Sequence, residues 1–216
     1  DSLKGFGVEN SKMGVTAAGA LLFYLESNRL EETEYFAQRG LSQICSISRI
    51  DENNFVWLDR FTIRNLELLG ASQADGTSLL DIIDKTSSAM GARMLRSWVA
   101  MPSKSLSEIG QRHDAVAFLL EKQEIAQVLQ EKISAMGDLE RIISRVASGR
   151  VSPREVMQLF RGLESLLPIK SLLTGGPKGS PLYKEANLID ECTSLRELLR
   201  TSLVEDPAAL IGKGDV

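Results

Sequence analysis

Five arginines crowd one stretch of the chain. Arg141, Arg145, Arg150, Arg154 and Arg161 surround Gly149, between two runs whose apolar residues recur at helical spacing. Guanidinium groups gathered on one surface would grip phosphates and position a nucleic-acid backbone, or a neighbouring domain, without reading sequence. The same groups would serve equally to fix a helix corner by pairing with Glu140, Glu155 and Glu164. Arg141, Arg145, Arg150 and Arg154 are therefore the candidate DNA or interdomain contacts, with both readings open. Other chemistry finds little support. His113 stands in "QRHDAV" between Arg112 and Asp114, but neighbours on a helix point about 100° apart and no serine or cysteine nucleophile is set beside it by any motif. The glycine-rich "GGPKGS" at 175–180 lacks the G-x-x-x-x-G-K-[ST] spacing, places Pro177 where a phosphate would need a backbone N–H, and follows a helix rather than a strand. Glu31, Glu32 and Glu34 read as a solvated acidic run rather than a metal site. No catalytic, cofactor-binding or metal-ligating residue is assigned.

The arginine corner can only be as well placed as the helices on either side of it, and these have legible starts. Ser78 with Asp81, Ser105 with Glu108, and Ser152 with Glu155 have the S-x-x-D/E spacing of a capping box, the last with Pro153 at the first helical position. Asp138 is placed to cap "LERIISRVAS". Stops are expected at Pro102, Gly137, Gly149 and the "TGGPKGSP" segment from Thr174 to Pro181. Beyond that, a final helix from about Leu182 to Leu203 would set Leu188, Cys192, Leu195, Leu199 and Leu203 on one line, the seam of a bundle. Gly91 is expected in mid-helix, where it costs about 1 kcal/mol relative to alanine unless a close approach or kink needs it.

The front of the chain reads differently. Asn10 or Ser11 can cap a helix carrying Val15, Ala18, Leu22 and Leu25 on one stripe. "LSQICSISRI" at 41–50, the turn residues "DENN" and then "FVWL" at 55–58 suggest a hairpin of two short strands. The fold class is thus mainly α, a helical bundle with a short β-hairpin near the N-terminus. At Asp59 the pattern switches from strand-like to helical, and Asp59 can cap the new helix through the N–H of Phe61 or Thr62.

The chain has 216 residues, 43% of them hydrophobic and 25% charged, enough for a sizeable core, and a net charge of −4 that excludes a uniformly basic, nucleic-acid-coating surface. Cys45 and Cys192 have no CxxC spacing, which fits a reducing cytoplasm rather than a disulfide framework. The longest apolar run, Gly14 to Leu25, is too short to span a bilayer, so no membrane partner is expected.

"LDRFTIRNLELL" at 58–69, "SLLDIIDKTSSAMGARMLRSWVAMP" at 78–102, "QRHDAVAFL" at 111–119 and "DLERIISRVASGRVSPREV" at 138–156 resemble, in that order, the core or lever domain of the MutS family of DNA mismatch-repair proteins. "GFGVE" at 5–9 and "AAGALLFYL" at 17–25 resemble the helix joining that family's connector domain to its lever. The resemblance implies that residues 1–40 are the tail of the connector and its linking helix, and residues 41–216 the outgoing part of the lever, without clamp or returning helices. It further implies a structural, allosteric module with no activity of its own. The parent would be a DNA-dependent ATPase using ATP and Mg, acting on double-stranded mismatched DNA, with other MutS domains and a homodimer partner as neighbours. No base-contacting or nucleotide-binding residue of the family maps onto this chain. The alternatives are a helical protein-interaction scaffold using the Leu188 to Leu203 seam, or an accessory nucleic-acid-binding module using the Arg141 to Arg161 corner.

Overall fold

Helix-start chemistry organises most of what can be seen. The structure is a computed structural model describing residues 11–27, 44, 54–147, 149–178 and 180–208. The chain divides into two units, residues 1–51 with 147–150, and residues 52–146 with 151–216. In the first, α1 (Lys12–Ser27) is the expected amphipathic helix, with Val15, Ala18 and Leu22 half-buried and Leu25 exposed.

The second unit is mainly helical. Its helices are α2 (Arg60–Asn65), α3 (Leu79–Ile83), α4 (Ala89–Ala100), α5 (Leu106–Glu121), α6 (Gln123–Met136), α7 (Leu139–Ala147), α8 (Pro153–Thr174), α9 (Pro181–Leu188) and α10 (Thr193–Ser202). The longest, α8, is the centre: α6, α9 and α10 all pack against it, while α5 contacts α6 and α9. Leu129 and Met136 of α6 bury against Ile169 of α8, and Ile142 of α7 buries against Leu159 and Leu163 at the other end of α8. Burying each such side chain contributes about 1.5–3 kcal/mol.

Two joints explain how these elements come so close. Gly137 ends α6 with a φ of 75°, a left-handed conformation that glycine adopts without steric cost. Directly opposite, Gly162 brings α8 so near the α6–α7 joint that a Cβ there would lie 2.6 Å from the Met136 carbonyl oxygen and from a Leu139 methyl. Only a residue without a side chain fits that contact.

Two expectations are corrected, and a third, the hairpin, falls partly outside the described residues. Among the described residues the second strand expected at 55–58 pairs through Phe55, which bridges antiparallel to Ser103, with Val56 N–H donating to the Pro102 carbonyl and Lys104 N–H to that of Asn54. The other arm of the hairpin, 41–50, lies outside the described residues save Ile44. The single last helix is instead two, α9 and α10. Asp190 accepts the Cys192 N–H at 2.8 Å and Cys192 takes a φ of 48°, and this local turn outcompetes helix continuation. Leu188 is left exposed, and Cys192 and Leu199 reach the core from separate elements. Finally, the helix begun at Ser78 stops at Ile83, where Asp84 accepts both the Thr86 N–H and its hydroxyl. Gly91 consequently lies in the first turn of α4, donating its N–H to the capping Ser88 hydroxyl and packed beside Thr86.

Candidate functional site

The capping residues do most of the positioning. Ser78 with Asp81 and Ser152 with Glu155 form complete capping boxes, each serine accepting the third residue's N–H while that residue's carboxylate accepts the serine's N–H. Ser105 forms half of one: it accepts the Glu108 N–H, but the Glu108 carboxylate turns to the Ser103 hydroxyl at 2.6 Å and to Arg112. Arg112 in turn stacks over Trp98, its guanidinium carbon 3.7 Å from the ring centroid, so α4, α5 and the bridge at Ser103 are tied by one polar cluster. Asp59 caps α2 through Thr62, at 2.8 Å, which also holds its carboxyl below the usual range.

The arginine corner can now be placed residue by residue. Arg145 of α7 pairs with Glu155 of α8 at 3.1 Å. Glu155 is held ionised first by the Ser152 N–H, with the charges of Arg145 and Arg141 adding to the effect. Arg141 is exposed, and its N–H donates to Asp138 at 3.3 Å. Arg154 reaches across α8 to donate to the Pro207 carbonyl, and Arg161 donates to that of Glu205, both at 3.2 Å. Arg150 is exposed and belongs to the other unit. Of the partners foreseen for this corner, Glu155 takes Arg145, whereas Glu140 and Glu164 are engaged by cations that sequence reasoning passed over.

Those cations form the stronger ties. Arg93 of α4 makes a fork onto the start of α7, with Nη1 and Nη2 donating to the two oxygens of Asp138 at 2.9 and 2.6 Å, and Nε and Nη2 to Glu140 at 3.0 and 2.6 Å. Two planar hydrogen-bonded contacts of this kind fix orientation as well as distance. They raise the Arg93 pKa and lower that of Asp138. On the far side, Glu164 of α8 accepts from both Arg196, at 2.8 Å, and Arg200, at 3.2 Å, on α10, and Arg196 is the more enclosed of the two. Lys170 pairs with Glu191 at 2.9 Å. A signal for the α10 pair was available: two arginines at i and i+4 repel each other unless one carboxylate lies between them. Arg93 carries no such local mark, because its partners are more than forty positions away.

Chemically, the arrangement orients helices. His113 is exposed on α5. Among the described residues, no three His, Cys, Asp or Glu side chains gather as a metal group. The loop after α8 does not fit a phosphate, since the N–H groups of Gly175, Gly176 and Ser180 already donate to the carbonyls of Ser171, Leu173 and Pro177. The ATP and Mg implied for the parent therefore find no fitting residues at that loop. A groove of about 320 Å³ lies between α8 and α10, walled by Met157, Phe160, Leu199 and Leu203, but the Arg161 and Arg200 on its rim are already engaged. No helix among the described residues is long and apolar enough to cross a membrane.

A family model described as MutS domain III matches residues 61–216. Proteins named DNA mismatch repair protein MutS from Flavobacterium psychrophilum and Cytophaga hutchinsonii are each 43% identical to the chain over 215 residues, and that from Phocaeicola vulgatus is 42% identical over the same length. In each case the alignment covers 100% of this chain and 24% of the relative, so the chain spans about a quarter of the length of the proteins it matches.

Proposed function

The chain belongs to the MutS family of DNA mismatch-repair proteins, and on that premise we propose that it is the lever module of such a protein, a helical element that couples mismatched-DNA binding to an ATPase domain elsewhere in a longer parent. Residues 1–40 serve as the tail of the connector and its linking helix, and residues 41–216 as the lever. The module itself performs no chemistry. The parent supplies the mismatch-reading and nucleotide-binding parts, uses ATP and Mg, and works beside other MutS domains and a second copy of itself in the cytoplasm.

The observation that carries this reading is the coincidence of the domain III match with a bundle in which side chains cap several helix starts and tie neighbouring helices together. Capping boxes start α3 and α8, the Arg93 fork anchors the start of α7, and Glu164 holds α10 to α8. A transmission element has to pass displacement along its length rather than dissipate it, and both ligands of the parent must bias the same element for coupling to arise. The occupied state of Arg145, Arg154 and Arg161 favours the corner as a brace over the corner as a phosphate grip.

Fluorescence-anisotropy titration of the chain against matched and mismatched duplexes, at low and physiological salt, tests the proposal. The expected result is no binding, or weak mismatch-blind binding that salt abolishes. Tight binding that survives physiological salt or prefers the mismatch would overturn it and make Arg141, Arg145, Arg150 and Arg154 the residues to replace.

A further inference from the structure

Two joints in the bundle rest against α8, and α8 itself carries an internal proline near them. Between α6 and α7 the chain breaks at Gly137, with its φ of 75°, and this joint rests on Gly162. Within α8 itself stands Pro168, which has no N–H to donate to the Glu164 carbonyl and whose ring crowds that oxygen. Between α9 and α10 lies Cys192, a non-glycine residue with a φ of 48°, and this joint is tied to the same stretch, Glu191 pairing with Lys170 and Arg196 with Glu164. Gly162 and Lys170 are eight residues apart, about 12 Å along the helix.

The apolar core divides at the same place. Leu129, Met136 and Ile169, with Ile189 alongside, form one cluster; Ile142, Leu159 and Leu163, with Cys192 and Leu199, form the other. Among the described residues, Leu139 and Leu166 pack against both. A helix with a missing internal hydrogen bond bends there more easily than elsewhere, and sharp bends concentrate at proline. Two bodies, each with its own core, can then tilt as units while long Arg, Lys and Glu side chains keep contact across the joint.

The geometry points to a hinge running across the bundle at Gly162 to Lys170. One rigid body is α6, α9 and the end of α8; the other is α7, α10 and the first four turns of α8. Proline at 168 weakens the one helix that spans both, and the breaks at Gly137 and Cys192 let its neighbours follow. The hinge goes beyond the lever reading by naming where such an element flexes, and it stands on this chain alone.

Pulsed electron–electron resonance decides it, with spin labels attached through a ketone-bearing unnatural residue so that both cysteines remain. One labelled pair, at Glu124 and Ser144, spans the seam; a control pair, at Glu124 and Lys184, stays within one body. The expected result is a distance distribution about twice as wide across the seam as within the body, as for a tilting pair of packed units. Pro168→Ala, which restores the N–H, should narrow the spanning distribution to the control width. Equal widths in the unsubstituted chain would overturn the hinge, and that comparison decides even if the variant fails to fold. A wide spanning distribution unchanged in a folded Pro168→Ala chain would overturn the assignment as well. No DNA or nucleotide enters the measurement, so its failure is distinct from failure of the lever reading.

Discussion

Residues 54–105 and residues 106–203 are built on opposite plans. The later region buries its apolar residues around α8 in two clusters. In the earlier one Ser78 and Leu80 are the buried residues among those described, while Trp57, Phe61, Leu66, Ile82, Met94 and Trp98 stand exposed. What shapes it instead is a chain of local polar contacts: Asp59 to Thr62, Glu67 to Ser72, Ser78 with Asp81, Asp84 to Thr86 and Ser88 to Gly91. Glu67 holds a φ of 48°, and Leu79 and Leu80 donate to the carbonyls of Glu67 and Leu68, so even the turn into α3 is a matter of backbone bonding. Helical content and a self-sufficient core are therefore separate properties. A segment can have well-made helix ends and still leave its apolar side chains exposed.

The largest effect should separate the two regions directly. Leu129→Ala opens a cavity in the main cluster and should cost about 2–5 kcal/mol, whereas Phe61→Ala, in an exposed position, should change stability by less than about 0.5 kcal/mol. Urea denaturation of both variants checks this, and a comparable loss for Phe61→Ala would erase the contrast. Next comes Gly162→Ala. The gain in helix propensity, about 1 kcal/mol, opposes a clash with the rigid Met136 carbonyl, and overpacking of this sort costs about 1–3 kcal/mol. A net destabilisation, read as a lowered Tm, is expected, and a raised Tm would show that the two helices can part without loss.

Acidification gives the smallest and most regional effect. The carboxyls of Asp59, Glu67, Asp81 and Asp84 are all held below their ordinary range by hydrogen bonds, from the N–H groups of Thr62 and Ser72 in the first two cases and from the hydroxyls of Ser78 and Thr86 in the others. A carboxylate whose pKa is lower folded than unfolded contributes fully above its unfolded value, about 4, and that contribution disappears as pH falls through the folded value. The later region has depressed carboxyls too, Asp138 through Arg93 and Glu164 through Arg196, but it also has its core. Residue-resolved amide exchange should therefore show α2 and α3 opening first as pH drops below about 4, with α6 and α8 protected longer. Simultaneous opening would mean that the polar contacts of the earlier region do not carry it.

Much of this was legible beforehand, for reasons that differ by element. The starts of α3 and α8 and the end of α6 were readable because a capping box and a helix-ending glycine act over three or four residues, within the reach of a sequence window. The break between α9 and α10 was not, because Leu188, Cys192, Leu195 and Leu199 keep a helical spacing through it; an aspartate accepting a backbone N–H two residues on decided the matter. At the arginine corner, the composition was plain and the pairing was not. Glu164 was a natural partner for Arg161 by proximity in sequence, yet α10 brought Arg196 and Arg200 to it from beyond another helix.

By itself the sequence determined the helical class, the family and most helix ends, because propensity, capping and order of motifs are local or linear properties. Tertiary structure alone decided which carboxylate each arginine meets, that the apolar residues around α8 part into two clusters, and that the joints at Gly137 and Cys192 both come to lie against α8. Those depend on contacts between positions tens of residues apart, and no spacing along a chain encodes which distant surface will arrive to fill a given place.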